Sequence, residues 1–465
     1  MKLLVKKFLK EEKTGIFTIL LAFLFLVGLS YILNRNPQNI FLIIATISLL
    51  IIFTLILLKP FFGIILLAAL IPIENFQVIP KVGMTGSKII GTMVLFSVLL
   101  YIFAGKIKSI KLSSIDFLLF SFLGICFLSL IPANDKVEGL AKLTSLLSYI
   151  VLFYLSSILI NTRKRLFIVL MVLWFSIFAV SLVNILQTIG INLGLFIAQH
   201  IIWVGDVRIV RYSGTFLGVN RFATLQIIGL AITIGLLRFI SVRFKAMIIT
   251  GGFIMLASLY FSYSRSAYLS LGAMFAYYAF ICTKRKVFWI LLFFFVVGAI
   301  FLYLPQNVYE HFISGFTFED SSTRMRLQQY TVAAEVFEQN WLLGVGIANQ
   351  SNILIDTYLL EGGLHCLPLS ILLETGVFGF LTFCWLICSG WFCLIRSSQR
   401  TKDPLLQSTF LMGLLAVLGL LVHNLFHNFM YMSILGLIGG ILNGAWQIKQ
   451  KEMQNKINYD IKKNN

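Results

Sequence analysis

Apolar runs long enough to cross a bilayer recur along nearly the whole chain, broken by short polar turns. Read in order, they predict membrane helices at about 15–33, 40–58, 60–74, 89–104, 115–131, 143–160, 166–188, 222–238, 246–262, 266–282, 287–304, 367–395, 405–425 and 428–447. Only Lys59 separates the second run from the third, and the third is short, so the expected number is about 12–14. A hydrocarbon core about 30 Å thick takes roughly 20 residues at a helical rise of about 1.5 Å each. The pattern lapses in two places, residues 189–221 and 305–366. Within the second, EDSSTRMRLQQYTVAAEVFEQNW reads as an amphipathic helix: Asp320, Ser321, Ser322 and Thr323 offer N-cap side chains, and Leu327, Tyr330, Ala333, Val336 and Phe337 recur at helical spacing.

The expected architecture is therefore all-α, a polytopic transmembrane helical bundle with a large outward loop carrying an amphipathic helix. Its parts are an N-terminal bundle at 1–304, the loop at 305–366, further membrane helices at 367–447 and a cytoplasmic tail at 448–465. Composition agrees: 59% of residues are hydrophobic and 12% charged, and the mean hydropathy is +0.94, which excludes a soluble globular protein. The first run, near Ile16, has no small-residue cleavage site and reads as a retained span.

A net charge of +19 would point to nucleic acid in a soluble protein, but here position matters more than the sum. Basic clusters such as TKRK at 283–286 fall at every second turn, which by the positive-inside rule places both termini in the cytoplasm. No nucleic-acid partner is expected. The six cysteines lie mostly within apolar runs and read as packing residues; Cys384 and Cys388 share a helix face but lack further ligands.

The outward segments carry a different signature. From position 208 onward their basic residues are all arginines: Arg208, Arg211, Arg221, Arg265, Arg324 and Arg326. Arg265, in YFSYSRSAYLS, interrupts a region that is otherwise apolar, and an arginine at the centre of a membrane helix costs roughly 2.5–3.5 kcal/mol. Guanidinium forks match phosphate oxygens better than ammonium groups do, so the set points to anion binding. The plainer reading of any single one is contact with lipid headgroups.

Three further stretches carry candidate chemistry. NWLLGVGIANQ, residues 340–350, permits a tight turn at Gly344 and Gly346, too little for a nucleotide site. In GGLHCLPLSILLETGVFGFL, His365 sits at a membrane edge, where nearby arginines would keep it neutral and fit to act as a base. Glu374 lies nine residues on, half a helical turn out of line, and reads as a buried hydrogen-bonding group or an arginine partner. His423 and His427, in LVHNLFHNFMYM, have metal-ligand spacing without a further ligand and read as a polar cavity lining; Glu319 and Asp320 are a weak cation signal. No metal and no cofactor is expected.

The series RYSGTFLGVNRFA, YSRSAYL, STRMRLQQY…NWLLGVGIAN and H-x8-E-x-G-x2-G resembles the bacterial O-antigen ligase and O-antigen polymerase superfamily, over about 205–385. These are integral-membrane glycosyltransferases of GT-C type. The resemblance implies that Arg211, Arg265 and either Arg324 or Arg326 bind the diphosphate of a polyprenyl (undecaprenyl) diphosphate-linked oligosaccharide donor. It implies that His365 activates the acceptor hydroxyl, with Asn220, Arg221, Tyr330 and Glu374 in support. Tyr330 stands where many members have tryptophan, and Cys366 where many have asparagine. The acceptor would be a second lipid-linked glycan for a polymerase, or a lipid A-core-type molecule for a ligase, with the polymerase slightly favoured. The setting would be the bacterial cytoplasmic membrane, with the site facing outward. The competing class is a transporter, such as a flippase for lipid-linked glycans; the chain shows no convincing internal repeat, and Glu74, Asp116 and Glu374 form no relay.

Overall fold

The computed structural model describes residues 40–73, 77–79, 84–107, 113–191, 199–204, 207–216, 218–282, 287–288, 291, 306, 309, 321–358, 363–429 and 432–464. The expected span at 15–33, most of that at 287–304, and Glu74, Glu319 and Asp320 lie outside them. The helices, in chain order, are α1 (Ile40–Leu58), α2 (Pro60–Leu70), α3 (Gly86–Phe103), α4 (Ser114–Leu128), α5 (Lys136–Leu159), α6 (Arg163–Thr188), α7 (Val219–Phe239), α8 (Val242–Tyr260), α9 (Arg265–Tyr277), α10 (Ser321–Gln339), α11 (Gln350–Tyr358), α12 (Leu367–Arg400), α13 (Pro404–Asn424) and α14 (Ser433–Asn464). By length and composition, seven helices among the described residues can cross a membrane: α3, α5, α6, α7, α8, α12 and α13. Shorter apolar segments stand at Ile47–Leu58, Pro60–Ile73 and Ile115–Leu128. The protein is an all-α polytopic membrane bundle.

The centre of the bundle is α7. Phe222, Ala223, Leu225, Ile227, Ile228, Ala231 and Ile232 are fully buried around its circumference, as expected of a helix that is apolar on every side. It packs between α8 and α13, and α6 closes the same core with Trp174. Lipid removes most of the hydrophobic gain from helix association, so close contact and hydrogen bonds must supply it. Trp174 Nε1 donates to Thr233 Oγ1 at 2.9 Å, Ser181 Oγ donates to Gln226 Oε1 at 2.8 Å, and Ser258 Oγ donates to Asn184 Oδ1 at 3.0 Å. Along α14, Gly436, Gly440 and Gly444 lie one turn apart against the backbone of α5. A Cβ at Gly436 would stand 2.4 Å from the carbonyl oxygen of Tyr149.

Several elements differ from the sequence expectation. Helix α5 starts at Lys136, earlier than the hydrophobic run, because Asp135 Oδ1 caps Val137 and Glu138 N–H groups at 2.9 Å. The expected tail at 448–465 continues α14 as helix to Asn464, since QKEMQNKINYDIKK contains neither Gly nor Pro. Two small antiparallel hairpins also interrupt an otherwise all-α fold: β1 (Gln77–Ile79) with β2 (Met84–Thr85), and β3 (Gln199–Val204) with β4 (Val207–Tyr212). The second has a readable origin, because β-branched runs flank Gly205-Asp206, a two-residue hairpin signal. Cys126 and Cys366 are buried, but Cys388 is exposed on α12.

Helix α12 is broken at Gly376, whose φ of 66° and ψ of −170° lie outside the helical region. The segment after α10 fills the break. Val377 N donates to Trp341 O at 2.9 Å, Val345 N to Leu373 O at 2.9 Å, and Gly346 N to Glu374 O at 3.1 Å. A Cβ at Gly376 would lie 2.2 Å from Leu342 O. The glycine-rich turn of NWLLGVGIANQ thus serves as a strap across a broken membrane helix.

Candidate functional site

Four chain segments meet where α8 turns into α9. Phe261 ends α8, Tyr263 takes a left-handed φ of 49°, and Ser264 precedes the first residue of α9, Arg265. Arg265 therefore occupies a corner between two helices rather than the middle of one, which avoids the mid-membrane cost. A left-handed conformation costs a non-glycine residue about 1–2 kcal/mol, and the surroundings hold this one. Tyr263 N donates to Tyr260 O at 3.1 Å, and Tyr268 Oη donates to Tyr260 O at 2.6 Å. Arg211, from β4, donates through Nε to Ser262 O at 2.8 Å. That places a cation at the carbonyl end of α8, where the helix dipole favours one.

Burial pushes the Arg211 guanidinium down to about 10; Tyr268 opposes that shift, and the charges of Arg265 and Arg326 add to it. Arg211 remains a cation at neutral pH. Arg326 projects from α10, half-buried, and its charge acts on Arg211, His365, His427 and Tyr330. Arg324 is exposed two residues earlier. The charges of Arg265 and Arg326 thus both act on Arg211, which brings together three arginines from distant parts of the sequence.

Histidines complete the group. His365 lies just before α12 and keeps solvent access. Its imidazole is held below the usual histidine range by partial desolvation and by the Arg326 charge. His427, buried in the turn after α13, has its ring centroid 6.4 Å from that of His365, edge to face. Its Nε2 lies 2.9 Å from Ser266 Oγ, and its carbonyl accepts from Leu367 N at 3.0 Å. Burial holds His427 well below the usual range, with further contributions from His423, Arg326, His365 and Arg211. His423 Nε2 lies 3.1 Å from Asn220 O, and Asn220 Oδ1 accepts from Ser264 Oγ at 2.9 Å. The start of α7, the α8–α9 corner and the turn after α13 are thereby tied together.

The structure therefore brings Arg211, Arg265, Arg326, His365 and Asn220 into one cluster, with Tyr330 Oη in long contact, 3.5 Å, with the His365 carbonyl. Arg221 and Arg324 are exposed. Glu374 is buried; its carboxyl group bonds the Ala348 N–H and the Gln350 side chain, so it fastens the strap. Of its two readings, the hydrogen-bonding one describes its place. The apolar face of α10 buries Ala333 and Val336, whereas Leu327, expected on that face, is exposed. Sequence reading missed the link from His427 to Ser266. Its signal was present in the spacing of His423 and His427, which fits two polar side chains facing one helix corner as well as it fits a metal. Among the described residues, no group of three or more His, Cys, Asp or Glu is placed to hold a metal ion.

Residues 250–384 match the family model described as O-antigen ligase. The match is partial, covering less than a third of the chain, and shows that this part is similar to that family. It takes in the α8–α9 corner, α10, the strap, His365 and the break at Gly376. Arg211, Asn220, His423 and His427 lie outside the matched residues, yet they fold onto them. No curated protein matches the chain.

Proposed function

We propose that this protein is a membrane glycosyltransferase of O-antigen ligase/polymerase type, metal-independent and without a cofactor. It would transfer a glycan from a polyprenyl diphosphate to a sugar hydroxyl at the outer face of the cytoplasmic membrane. The observation that carries the reading is the convergence of Arg211, Arg265 and Arg326 beside a solvent-accessible, neutral His365. In this reading Arg265 and Arg326 bind the donor diphosphate. Arg211 contributes charge while holding the corner through Ser262. His365 takes the proton as the acceptor oxygen attacks the anomeric carbon. The bond from that carbon to the diphosphate breaks, the electron pair leaves with the diphosphate, and the configuration inverts. Guanidinium groups placed where negative charge grows stabilise the transition state electrostatically, commonly the main source of acceleration in such a reaction. His427, bonded to Ser266 and packed on His365, is a positioning residue.

Both termini lie in the cytoplasm in this proposal, the bundle has 12–14 spans, and polymerisation is favoured over ligation. Purified protein supplied with a polyprenyl-diphosphate-linked oligosaccharide tests it, with products resolved by size. A ladder of products formed by wild type and absent with His365→Ala supports a polymerase; a single addition that requires a separate acceptor supports a ligase. Movement of the lipid across liposomes without any transfer overturns the proposal in favour of a flippase.

A further inference from the structure

A cavity lies toward the opposite end of α12 from His365. It has a volume of about 630 Å³ and is framed by α12, α13 and α14 with the ends of α4 and α5. Leu386, Trp391 and Trp446 contribute apolar wall, and Arg396, Arg400 and Lys449 contribute the cations. Lys449 is 6% exposed, and its Nζ stands 5.9 Å over the Phe410 ring. Among the described residues, none of these three cations forms an ion pair. The one carboxylate in the wall, Asp116, is committed elsewhere: it accepts from Ser113 N–H and hydroxyl groups and, at 2.7 Å, from Tyr154 Oη. Among the described residues the cleft therefore carries a net positive charge, three cations against Asp116, part of it withdrawn from solvent. Trp385 and Phe392, exposed on the same helix, show that this stretch of α12 presents apolar side chains outward.

We infer that this cleft binds an anionic membrane phospholipid. The phosphate would lie among Arg396, Arg400 and Lys449, with an acyl chain along Trp391 and Trp446. A buried ammonium needs an anion, and basic pockets between membrane helices are suited to acidic headgroups. An apolar wall continuous with the cations selects an amphipathic anion over a free one. Gly390 gives the apolar half of the site an independent handle. It lines the cleft, and a Cβ there meets nothing within 4 Å, so the wall can be altered at this point without a clash at the added carbon.

The test is thermal unfolding of the full chain in a neutral detergent, titrated with phosphatidylglycerol, phosphatidylcholine or inorganic phosphate. Ligand that binds only the folded state raises the midpoint according to its affinity. Wild type should be stabilised by phosphatidylglycerol and by neither of the others. The triple variant Arg396→Gln/Arg400→Gln/Lys449→Gln should bind roughly a hundredfold more weakly, since each basic residue adds to the attraction for an acidic headgroup. Gly390→Leu keeps every charge and should also lose most of the stabilisation. A charge-matched control, Arg238→Gln/Arg243→Gln/Lys245→Gln, should retain it. Equal stabilisation of the control and both cleft variants would overturn the site. A wild-type response to inorganic phosphate equal to that with phosphatidylglycerol would overturn the lipid as occupant and leave a free-anion site. Should the triple variant fail to fold, Gly390→Leu decides alone, and an unchanged response overturns the inference.

Discussion

Two arginines show two ways in which this protein uses the same side chain. Arg163, at the start of α6, has a side chain 53% exposed and lies 2.9 Å from Glu452 and 3.2 Å from Asp403. It joins the N-terminal ends of two helices to the last helix, and its charge is met by carboxylates of the same chain. Arg211 is more enclosed, and the charges acting on it are those of Arg265 and Arg326, with Tyr268. A cation already matched by carboxylates has little left to offer a visiting anion. A cation held among other cations by a carbonyl bond is strained electrostatically in a way that an arriving anion relieves. The difference separates an arginine that holds helices together from one fitted to bind.

The comparison can be broken or sharpened by measurement, beginning with the largest effect. His365→Ala should lower the transfer rate by roughly 10²–10⁴-fold, the usual contribution of a positioned general base. Donor binding, measured by displacement of a labelled polyprenyl diphosphate, should stay within a small factor of wild type. Arg265→Ala should cost about 10²–10³-fold in rate with normal membrane insertion, and retained transfer would remove Arg265 from the proposed chemistry. Arg326→Met should slow transfer less, and it has a second readout in the pH profile. The Arg326 charge disfavours protonation of His365, so wild-type kcat/KM should be flat at neutral pH and fall only below the ordinary histidine range. Without that charge, protonation occurs at higher pH, and the acid limb should move toward neutrality. An unmoved limb would separate Arg326 from His365.

Gly376→Ala acts on stability. A side chain there meets Leu342 O and must adopt a positive φ, so unfolding in detergent should reveal a loss of about 1–3 kcal/mol. Arg163→Ala should have the smallest effect, within about 1 kcal/mol, because the arginine side chain is 53% exposed and solvent screens its pairs. If that variant instead abolished transfer while Arg211→Ala did not, the contrast between the two arginines would be reversed.

Much of the site is legible in the amino-acid sequence. The arginines from Arg208 to Arg326, His365 and the helix at 321–339 follow from charge type, position and spacing, which are local properties of a chain. The difference between Arg324 and Arg326 is not legible there, because they lie on one helix turn and only the fold leaves Arg324 exposed and sets the Arg326 charge on Arg211 and His365. The role of Glu374 is equally hidden. Its partners, Ala348 and Gln350, belong to a strap that meets it only because α12 breaks at Gly376.

By itself the sequence determined that the chain lives in a membrane and where most helices run, because hydrocarbon tolerates only backbone that satisfies its own hydrogen bonds and side chains that shed water. It also determined which residues carry charge suited to an anion. Tertiary structure alone decided which of them meet. His427, Ser266, Asn220 and Arg211 come from four separate segments, and no periodicity along the chain encodes their proximity. Packing of α7 against α8 and α13, through contacts that depend on shape rather than spacing, puts them around one corner.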